Sequence, residues 1–298
     1  MKRNDIWRNR DFKVMLLKEI DEPFDSDLFI YEIKYDGVRA VMFVSPSEFV
    51  IKSRNGKDIT NVFPELKSIQ KLVKGKVIFD GEIISLENGL PSFSKVSKRT
   101  HLKNKSVIDV ESKSNPVVFM VFDILYMDKD ITELTLVERK KILNKFKDTD
   151  VFVKSVVFKS GKKLFREIKK LKMEGIVAKK INSSYHINER TDDFIKIKNF
   201  KNGSFFIGGY SYNKNGISLA LGEYIDDKFC FVGKVSLNSK YELYDKVLKL
   251  KESKNYFCNY KENINYVKPS LKCEVSYIER TLNNNLRQPV YKGSKIWV

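Results

Sequence analysis

Between residues 27 and 200, short apolar runs alternate with helical patterns, and this alternation limits the possible folds more than any other feature. The runs are rich in Val, Ile and Phe, which is typical of strands. Helices are predicted to begin at Pro64, at Thr135, where Glu138 completes a capping box, and near Ser160. The runs include, in chain order, "EFVIKS", "KVIFDGEII", "VVFMVFDILYM", "DVFVKSVVF", "EGIVAKK" and "DFIKIK". The pattern predicts a mixed α/β domain over residues 1–200.

The pattern changes after residue 200. Short alternating runs such as "SFFIGGYSYN" and "KFCFVGKVS" are separated by Asn, Gly and Asp turns, with one helical stretch, "SKYELYDKVLKLK". Several short strands broken by one helix are typical of a small β-barrel of the oligonucleotide-binding (OB) type. We therefore predict an α+β chain, with the mixed α/β domain at residues 1–200 and an OB-fold barrel at residues 201–298.

The chain is strongly basic. Its 298 residues include 56 Lys and Arg against 38 Asp and Glu, which gives a net charge of +18. This excess favours a polyanionic partner such as nucleic acid, a nucleotide or an acidic membrane surface, with a merely basic globular protein as the alternative. The longest apolar run is interrupted by Asp123 and is shorter than the ~20 residues of a membrane helix. No apolar signal region precedes it, so we expect a cytoplasmic protein without membrane contact.

The three cysteines are Cys230, Cys258 and Cys273, an odd number in a chain long enough to fold without disulfides. This favours a reducing, intracellular setting over secretion. We expect the cysteines to be small buried hydrophobic residues.

Several familiar catalytic motifs are missing from the sequence. It has no Gly-x4-Gly-Lys-Ser/Thr loop, no Gly-x-Gly-x-x-Gly after a strand, no paired Cys-x-x-Cys and no His-Glu-x-x-His. His101 and His186 are the only histidines, which argues against a histidine metal site or a Ser-His-Asp triad. Lysines and carboxylates are the groups left for catalysis.

Lys34 stands out among the lysines because it ends an apolar run, Ile30–Lys34. Asp36 and Gly37 follow it, and a second apolar run, Val38–Val44, comes directly after them. A lysine at such a turn is either solvated at the rim or, where burial and neighbouring cations remove its proton, a nucleophile.

Other charged residues lie in pairs on predicted strands. Lys196 and Lys198 share one strand face, where they either line a solvated edge or clamp phosphates. Asp80 and Glu82 share a face of another strand, and Glu174 begins a third. Each carboxylate is either an ordinary strand-end charge or a partner for a cation, a metal or a ribose hydroxyl.

Six stretches occur in a fixed order: "KYDGVR", "SRNG", "FDGEI", "VFDILY", "EGIVAKK" and "FIKIK". This order resembles the motif set of the ATP-dependent DNA ligases, which belong to the covalent nucleotidyltransferase superfamily. The ligase domains of bacterial end-joining enzymes look most similar, including "SRNGKDITNVFPEL" and "LRQPVYKG". The resemblance covers residues 30–293 and implies a nucleotidyltransferase (adenylation) domain followed by the OB-fold domain.

The resemblance implies that Lys34 attacks the α-phosphate of ATP, forms a lysyl-AMP phosphoramide and releases pyrophosphate. Asp36 would orient the amine or its metal, and Gly37 would permit the tight turn. Lys196 and Lys198 would neutralise the α-phosphate in the transition state.

Further matching positions would bind the nucleotide. Arg39 and Arg54 look like a pair that binds the ribose or the phosphates of a nick. Glu32 would accept a hydrogen bond from the adenine amino group and so favour ATP over GTP. Phe122 would stack on the adenine ring, with a plain core position as the alternative.

The resemblance also implies a metal site at Glu82, Glu174 and Asp36, with a ribose hydroxyl as the other partner for Glu82. Mg²⁺, with Mn²⁺ tolerated, would stabilise the transferring group in three steps. These steps are enzyme adenylation, transfer of AMP to a 5′-phosphate, and attack by a 3′-hydroxyl that seals the strand and releases AMP.

The implied partner is nicked duplex DNA, bound by a monomer whose affinity falls steeply with salt. A bridging protein of an end-joining system is a second implied partner. Two alternatives stay open: an RNA ligase or GTP-using capping enzyme of the same superfamily, and a non-catalytic nick-binding scaffold.

The C terminus departs from the family pattern. Family members usually end with an Arg-x-Asp-Lys element that orients pyrophosphate, whereas this chain reads "LRQPVYKGSKIWV". Lys295 is a candidate to replace the arginine, Trp297 stands at the aspartate position, and Arg287 or Lys292 is the alternative. Slow adenylation, or purification with AMP already attached, is the expected consequence.

Overall fold

The structure is a computed structural model that describes residues 5–10, 12–281 and 283–293. It forms two compact units that divide between Asn199 and Phe200. The strands are β1 (Leu16–Ile20), β2 (Phe29–Lys34), β3 (Val38–Val44), β4 (Phe49–Ser53), β5 (Val77–Glu87), β6 (Leu90–Pro91), β7 (Val117–Met127), β8 (Phe152–Lys154), β9 (Gly175–Lys180), β10 (Arg190–Lys198), β11 (Lys201–Asn213), β12 (Gly216–Ile225), β13 (Lys228–Asn238), β14 (Asn265–Tyr266), β15 (Lys272–Tyr277) and β16 (Val290–Gly293). The helices are α1 (Phe93–Thr100), α2 (Lys105–Ser114), α3 (Leu136–Leu143), α4 (Gly161–Lys170), α5 (Glu242–Leu248) and two 3₁₀ helices, Thr60–Val62 and Pro64–Leu72. Within these described ranges, no helix is long and apolar enough to cross a membrane.

The N-terminal unit contains two sheets, which confirms the mixed α/β prediction. The first has the strand order β1-β10-β9-β2 and is parallel only between β1 and β10. The second has the order β4-β3-β5-β7-β8, is parallel only between β7 and β8, and carries β6 on β5. Strands β2 and β3 are consecutive in the chain but lie in different sheets. Residues 35–37 therefore cross from one sheet to the other.

Gly37 ends this crossing and packs directly on β5. A Cβ atom at this position would lie 2.3 Å from the carbonyl oxygen of Ile83. Its φ is not among the positive values of the chain, so the glycine is required for close approach rather than for a left-handed backbone.

The alternation predicted for β10 is confirmed. Ile195 and Ile197 are buried in a cluster with Tyr31 and with residues of α4 and β9. Lys196 and Lys198 project from the opposite face and are partly exposed. The first sheet thus has an apolar face packed on α4 and a face that carries charge.

The predicted helix starts are confirmed at Thr135 and Ser160, which cap α3 and α4 through their side chains. The segment that begins at Pro64 is a 3₁₀ helix rather than an α-helix. In "DVFVKSVVF" only Phe152–Lys154 is a strand, and Val156 is exposed. Helices α1 and α2 were not predicted.

The C-terminal unit is of the OB-fold type. Its antiparallel sheet has the order β13-β12-β11-β15-β16, with β14 on β11, and α5 follows β13. An aliphatic cluster and an aromatic cluster fill its interior. In the described part of the chain, β13 and β16 stand at the two ends of the hydrogen-bonded order, and no ladder joins them into a closed barrel.

The cysteine prediction is correct for one residue and wrong for two. Cys273 is buried in the C-terminal core, but Cys230 is half-buried and Cys258 is exposed. Cys258 lies in an irregular segment on the surface, where no strand face directs its side chain inward.

Candidate active site

Lys34 and Glu174 form the centre of the charged face of the first sheet. Lys34 ends β2 opposite Gly175, the first residue of β9. Its Nζ lies 2.7 Å from Oε2 of Glu174, and the two side chains are 20% and 4% exposed. The Lys34 amine is therefore held at the end of the strand by a nearly buried carboxylate, and its side chain is still partly exposed.

The ladder places the other predicted lysines on the same face. Lys198 is also opposite Gly175, so Lys34 and Lys198 lie in one row across β2, β9 and β10. Directly opposite residues of a sheet share a face. A side chain at Gly175 would collide with the backbone of Ile197, with its Cβ 2.2 Å from the carbonyl oxygen. The glycine is therefore required by the close approach of β10 to this end of β9, where the backbone also has a positive φ.

Lys196 and Lys198 both bind Glu19 of β1. Glu19 Oε2 lies 2.8 Å from Nζ of Lys196 and 3.2 Å from Nζ of Lys198. Burial acts to raise the pKa of Glu19, but the hydrogen bonds and charges of the two lysines outweigh it, so that the pKa is lowered. One carboxylate thus occupies both lysines that were predicted to bind phosphate.

Glu32 lies on the same face and is fully paired. Its carboxylate binds Lys140 of α3 and Lys179 of β9, with 2.9 Å between Oε2 and Nζ of Lys179. Burial acts to raise the pKa of Glu32, but the two ammonium charges overcome it and lower the pKa. Lys179 also lies over the Phe122 ring, 4.3 Å from its centroid. Glu32 and Phe122 are therefore connected through one buried lysine.

Arg39 is held in the second sheet by a buried network. Its guanidinium binds Asp80 through two hydrogen bonds, of 3.1 and 2.8 Å, and donates to the carbonyl oxygen of Met15. The Tyr185 hydroxyl donates to the same carboxylate at 2.7 Å. The Arg39 guanidinium also lies 5.5 Å from the centroid of the Phe122 ring. Asp80 therefore serves to hold Arg39, a role that the sequence did not reveal.

Arg54 and Asp36 complete the predicted set at the edge of the site. Arg54 is exposed, and its backbone N–H donates to the carbonyl oxygen of Arg39 at 3.1 Å. Asp36 is half-buried in the crossing between the sheets, two residues after Lys34.

Glu82 has a pKa that is raised by its surroundings. It lies opposite Arg39 in the β3–β5 ladder and is half-buried. Burial raises its pKa to about 8; the charges of Glu174 and Asp80 add to this rise, and those of Lys34 and Arg39 oppose it. Glu82 thus belongs electrostatically with Lys34 and Glu174, although it comes from the other sheet.

The residues present fit a divalent metal that is bound partly by phosphate. The described residues contain no ready group of three metal-binding side chains. Mg²⁺ usually takes one or two carboxylates together with substrate phosphates. The pKa of Glu82 is raised because the nearby positive charges do not offset its burial. A bound cation would stabilise the charged carboxylate.

Several residues near the site were missed by sequence reasoning. Glu19, Lys140 and Tyr185 carry no local motif, and their roles depend on long-range pairing. Lys179 lies within the motif "EGIVAKK". A search for a cation to pair with Glu32 could therefore have identified it.

The C-terminal candidates are only partly within the described residues. Lys295 and Trp297 lie outside them. Arg287 binds Glu279, with 3.0 Å between the side-chain nitrogen and oxygen, and Lys292 lies over the Phe200 ring.

The fold and the lysine-centred site define a nucleotidyltransferase of the ligase type. The family model described as "ATP dependent DNA ligase domain" matches residues 13–198. The model described as "ATP dependent DNA ligase C terminal region" matches residues 213–296. The chain belongs to the ATP-dependent DNA ligase family.

Similar proteins include end-joining and prophage ligases. The chain is 29% identical over 312 residues to the multifunctional non-homologous end joining protein LigD of Mycolicibacterium smegmatis, covering 98% of this chain and 39% of that protein. It is 32% identical over 201 residues to the SPbeta prophage-derived DNA ligase-like protein LigB of Bacillus subtilis, covering 66% of this chain and 71% of LigB. The structure of mycobacterial DNA ligase D complexed with ATP and MES has the same fold, with a TM-score of 0.59, 24% identity and coverage of 96% and 95%.

Proposed function

We propose that this protein is an ATP-dependent DNA ligase that seals 5′-phosphate/3′-hydroxyl nicks in duplex DNA through a lysyl-AMP intermediate. The observation that carries the proposal is the contact between Lys34 and Glu174, whose charges both act on Glu82, within the range that the family model matches. A nucleophile, a nearly buried carboxylate and two further lysines lie on one sheet face, which suits attack on a phosphate.

The first step begins with Lys34 losing a proton, because a protonated amine has no lone pair to donate. Glu174 accepts the hydrogen bond of that proton in the free protein. The Nζ lone pair then forms a P–N bond to the α-phosphorus of ATP, and the bond to the bridging oxygen breaks to release pyrophosphate. In the second and third steps AMP passes to the DNA 5′-phosphate, and the 3′-hydroxyl displaces it.

Lys196 and Lys198 neutralise the negative charge that grows on the α-phosphate. They are held by Glu19 in the free protein, so phosphate binding requires that they exchange this carboxylate for the substrate. Lysine stems have several rotatable bonds, which makes such an exchange possible without movement of the strands.

Phe122 is proposed to stack on adenine, and Glu32 to define the base pocket. Lys179 connects the two, since it binds Glu32 and lies over the Phe122 ring. A hydrogen bond from the adenine amino group to the Glu32 carboxylate would give a preference for ATP over GTP. Arg54, which is exposed, is proposed to contact ribose or a phosphate of the nick, with Arg39 fixed behind it.

Glu82 and Glu174, with Asp36, are the residues proposed to hold Mg²⁺, with Mn²⁺ as a substitute. A bound divalent ion supplies electrostatic stabilisation of the transferring phosphoryl group. Glu174 itself orients Lys34, because it accepts the hydrogen bond from the Lys34 amine.

Nicked duplex DNA is the proposed substrate, and the net charge of +18 supports binding to its phosphates. We further propose that the protein acts as a monomer and that it binds a bridging protein of an end-joining system. The LigD relative is much longer than the matched region, so its other activities are not assigned to this chain.

Labelling with α-labelled ATP tests the proposal. Wild-type protein should become covalently labelled, and Lys34→Ala and Lys34→Arg should lose the label by at least about 10³-fold, because no other amine occupies that position. Lys154→Ala is the matched control: Lys154 also ends a strand, is 21% exposed and binds a carboxylate, Asp148. It should label like wild type.

Sealing assays decide among the alternatives. Ligation of nicked DNA with ATP is the expected result. Preference for GTP, or sealing only of RNA strands, would assign the protein to the RNA ligase or capping branch. Binding of nicked DNA without any covalent label would assign it to the non-catalytic scaffolds.

A further inference from the structure

Cys230 and Cys258 lie together on the surface of the C-terminal unit. Cys230 is on β13, and Cys258 is in the irregular segment that follows α5. Their Sγ atoms are 2.9 Å apart. Because these residues are distant in the chain, their contact depends on how the segment is attached to β13.

The backbone holds the two cysteines in register. The N–H of Cys258 donates to the carbonyl oxygen of Phe229 at 2.8 Å. The side chain of Asn259 accepts from the N–H of Phe231 at 2.7 Å and donates to its carbonyl oxygen at 3.2 Å. Hydrogen bonds therefore flank Cys230 on both sides, and residues 255–260, here named the docked segment, lie along β13.

The docked segment covers aromatic side chains of the sheet. Phe257 stacks on Phe229 with ring centroids 4.8 Å apart, and Tyr260 stacks on Phe231 at 4.1 Å. The segment is neither helix nor strand, so its attachment depends on these side-chain contacts and on the burial of Phe257 and Tyr260 rather than on a backbone ladder. A covalent bond at Cys258 would hold the docked segment to β13 between these two stacked pairs.

Both thiols can react, and neither is set up to hold a metal. Cys258 is exposed and Cys230 half-buried, so a small oxidant can reach them, whereas Cys273 is buried. In the described ranges no third cysteine, histidine or carboxylate joins the pair to form a metal site. Two thiols without further ligands are suited to redox chemistry rather than to zinc.

We propose that Cys230 and Cys258 form a reversible disulfide that fastens the docked segment to β13. Both cysteines belong to the C-terminal unit, and this proposal does not rest on the proposed ligation reaction. Reversible disulfides of this kind belong to accessible, paired thiols rather than to buried ones.

The oxidant is a low-molecular-weight disulfide such as oxidised glutathione. The Cys258 thiolate attacks one sulfur of that disulfide, forms a mixed disulfide and releases one thiolate. The Cys230 thiolate then attacks the Cys258 sulfur, forms the intramolecular bond and releases the second thiolate. The protein loses two electrons and two protons, and the small disulfide is reduced to two thiols.

The order of attack follows from the environment of the two sulfurs. The hydrogen bond between the thiols raises the pKa of Cys230 to about 11. Cys258 is the more exposed of the two and therefore meets the oxidant first. This makes Cys258 the attacking residue and Cys230 the resolving one.

Intact mass, free thiols and amide exchange of the full chain test the proposal. Treatment with oxidised glutathione should remove two hydrogen atoms and lower the free thiols from the three of the sequence to Cys273 alone. Amide exchange in residues 255–260 should slow by about ten-fold or more, and dithiothreitol should reverse each change.

Single-cysteine variants provide the controls. Cys273→Ser should still form the disulfide, whereas Cys230→Ser should stop at a mixed disulfide with glutathione on Cys258. The proposal is overturned if the wild type also stops at that adduct, if it forms disulfide-linked dimers, or if its three thiols stay free. A disulfide that forms without slowing exchange in the docked segment would equally overturn the fastening role.

Discussion

The interiors of the two units differ in charge. Among the described residues, seven charged side chains are buried: Glu32, Asp80, Arg99, Asp123, Arg139, Glu174 and Lys179. All seven belong to the N-terminal unit, whereas the C-terminal unit buries aliphatic and aromatic side chains and one polar residue, Ser276. Buried charge is costly unless it is paired. Its confinement to one unit indicates that this unit carries the chemistry.

The buried charges of the N-terminal unit are of two kinds. Asp123 and Arg139 pair with each other at 2.8 and 2.9 Å and are fully buried, so they hold the fold. Lys34 and Glu174 pair at the accessible end of the sheet, where a substrate can separate them. Under the proposed function, this difference between a fully buried pair and a partly exposed pair separates structural from functional charge.

Removal of one buried partner should have the largest effect. Arg139→Met leaves Asp123 charged and unpaired in the core, and should lower the free energy of unfolding by roughly 3–5 kcal/mol. Arg280→Met, which breaks the pair with Glu223, should cost about 1 kcal/mol or less, because those side chains are 30% and 27% exposed. Urea unfolding measures both variants.

The double variant Asp123→Leu/Arg139→Met sharpens this test. It removes both charges and should recover most of the loss. If Arg139→Met and Arg280→Met lower the free energy of unfolding by similar amounts, the buried pair of the N-terminal unit contributes no more to stability than the partly exposed pair of the C-terminal unit.

Glu82→Gln should stabilise the protein in a pH-dependent way. The native carboxyl has a pKa of about 8, and an unfolded glutamate has one near its ordinary ~4.3. The native state therefore keeps a proton that the unfolded state loses, so wild-type stability falls as pH rises from about 4.5 to 8. Glutamine removes this loss.

The expected gain for Glu82→Gln is near zero at pH 5 and reaches roughly 1–3 kcal/mol at pH 8, allowing for the partial exposure of the side chain. Thermal or urea unfolding across that range, without added metal, measures it. A gain of equal size at both pH values would contradict the raised pKa.

Glu19→Gln should have the smallest effect. It removes the carboxylate that competes with phosphate for Lys196 and Lys198, and should lower the KM for ATP in adenylation by roughly two- to five-fold. Glu262→Gln, which releases Lys234 in the C-terminal unit, is the control and should leave this KM unchanged. A higher KM for Glu19→Gln would mean that Glu19 positions the lysines instead of competing for them.

Sequence reasoning predicted the strands well because period-two alternation is a local property. Ile195 and Ile197 against Lys196 and Lys198 gave the correct faces of β10. Helices α1 and α2 were missed because each is short and buries few residues: Val96 and Arg99 in α1, and Ile108 in α2. Their positions are fixed by tertiary packing instead.

The candidate site was only half visible in the sequence. Lys34, Glu82 and Glu174 lie in motifs, and the structure brings them together electrostatically. The pairing of Glu32 with Lys140 depends on how α3 packs against the first sheet, and no local pattern encodes such a contact. The contact between Cys230 and Cys258 was likewise hidden, because it depends on where an irregular segment lies.

The crossing at residues 35–37 has a consequence for the chain's tolerance of insertions. Lys34 ends a strand of one sheet, Arg39 belongs to a strand of the other, and Gly37 is in contact with β5 between them. The length of this connection therefore sets the distance between the Lys34 amine in one sheet and the carboxyl groups of β5 in the other. Under the proposed function, one added residue would shift the Lys34 amine away from the carboxyl groups with which it acts.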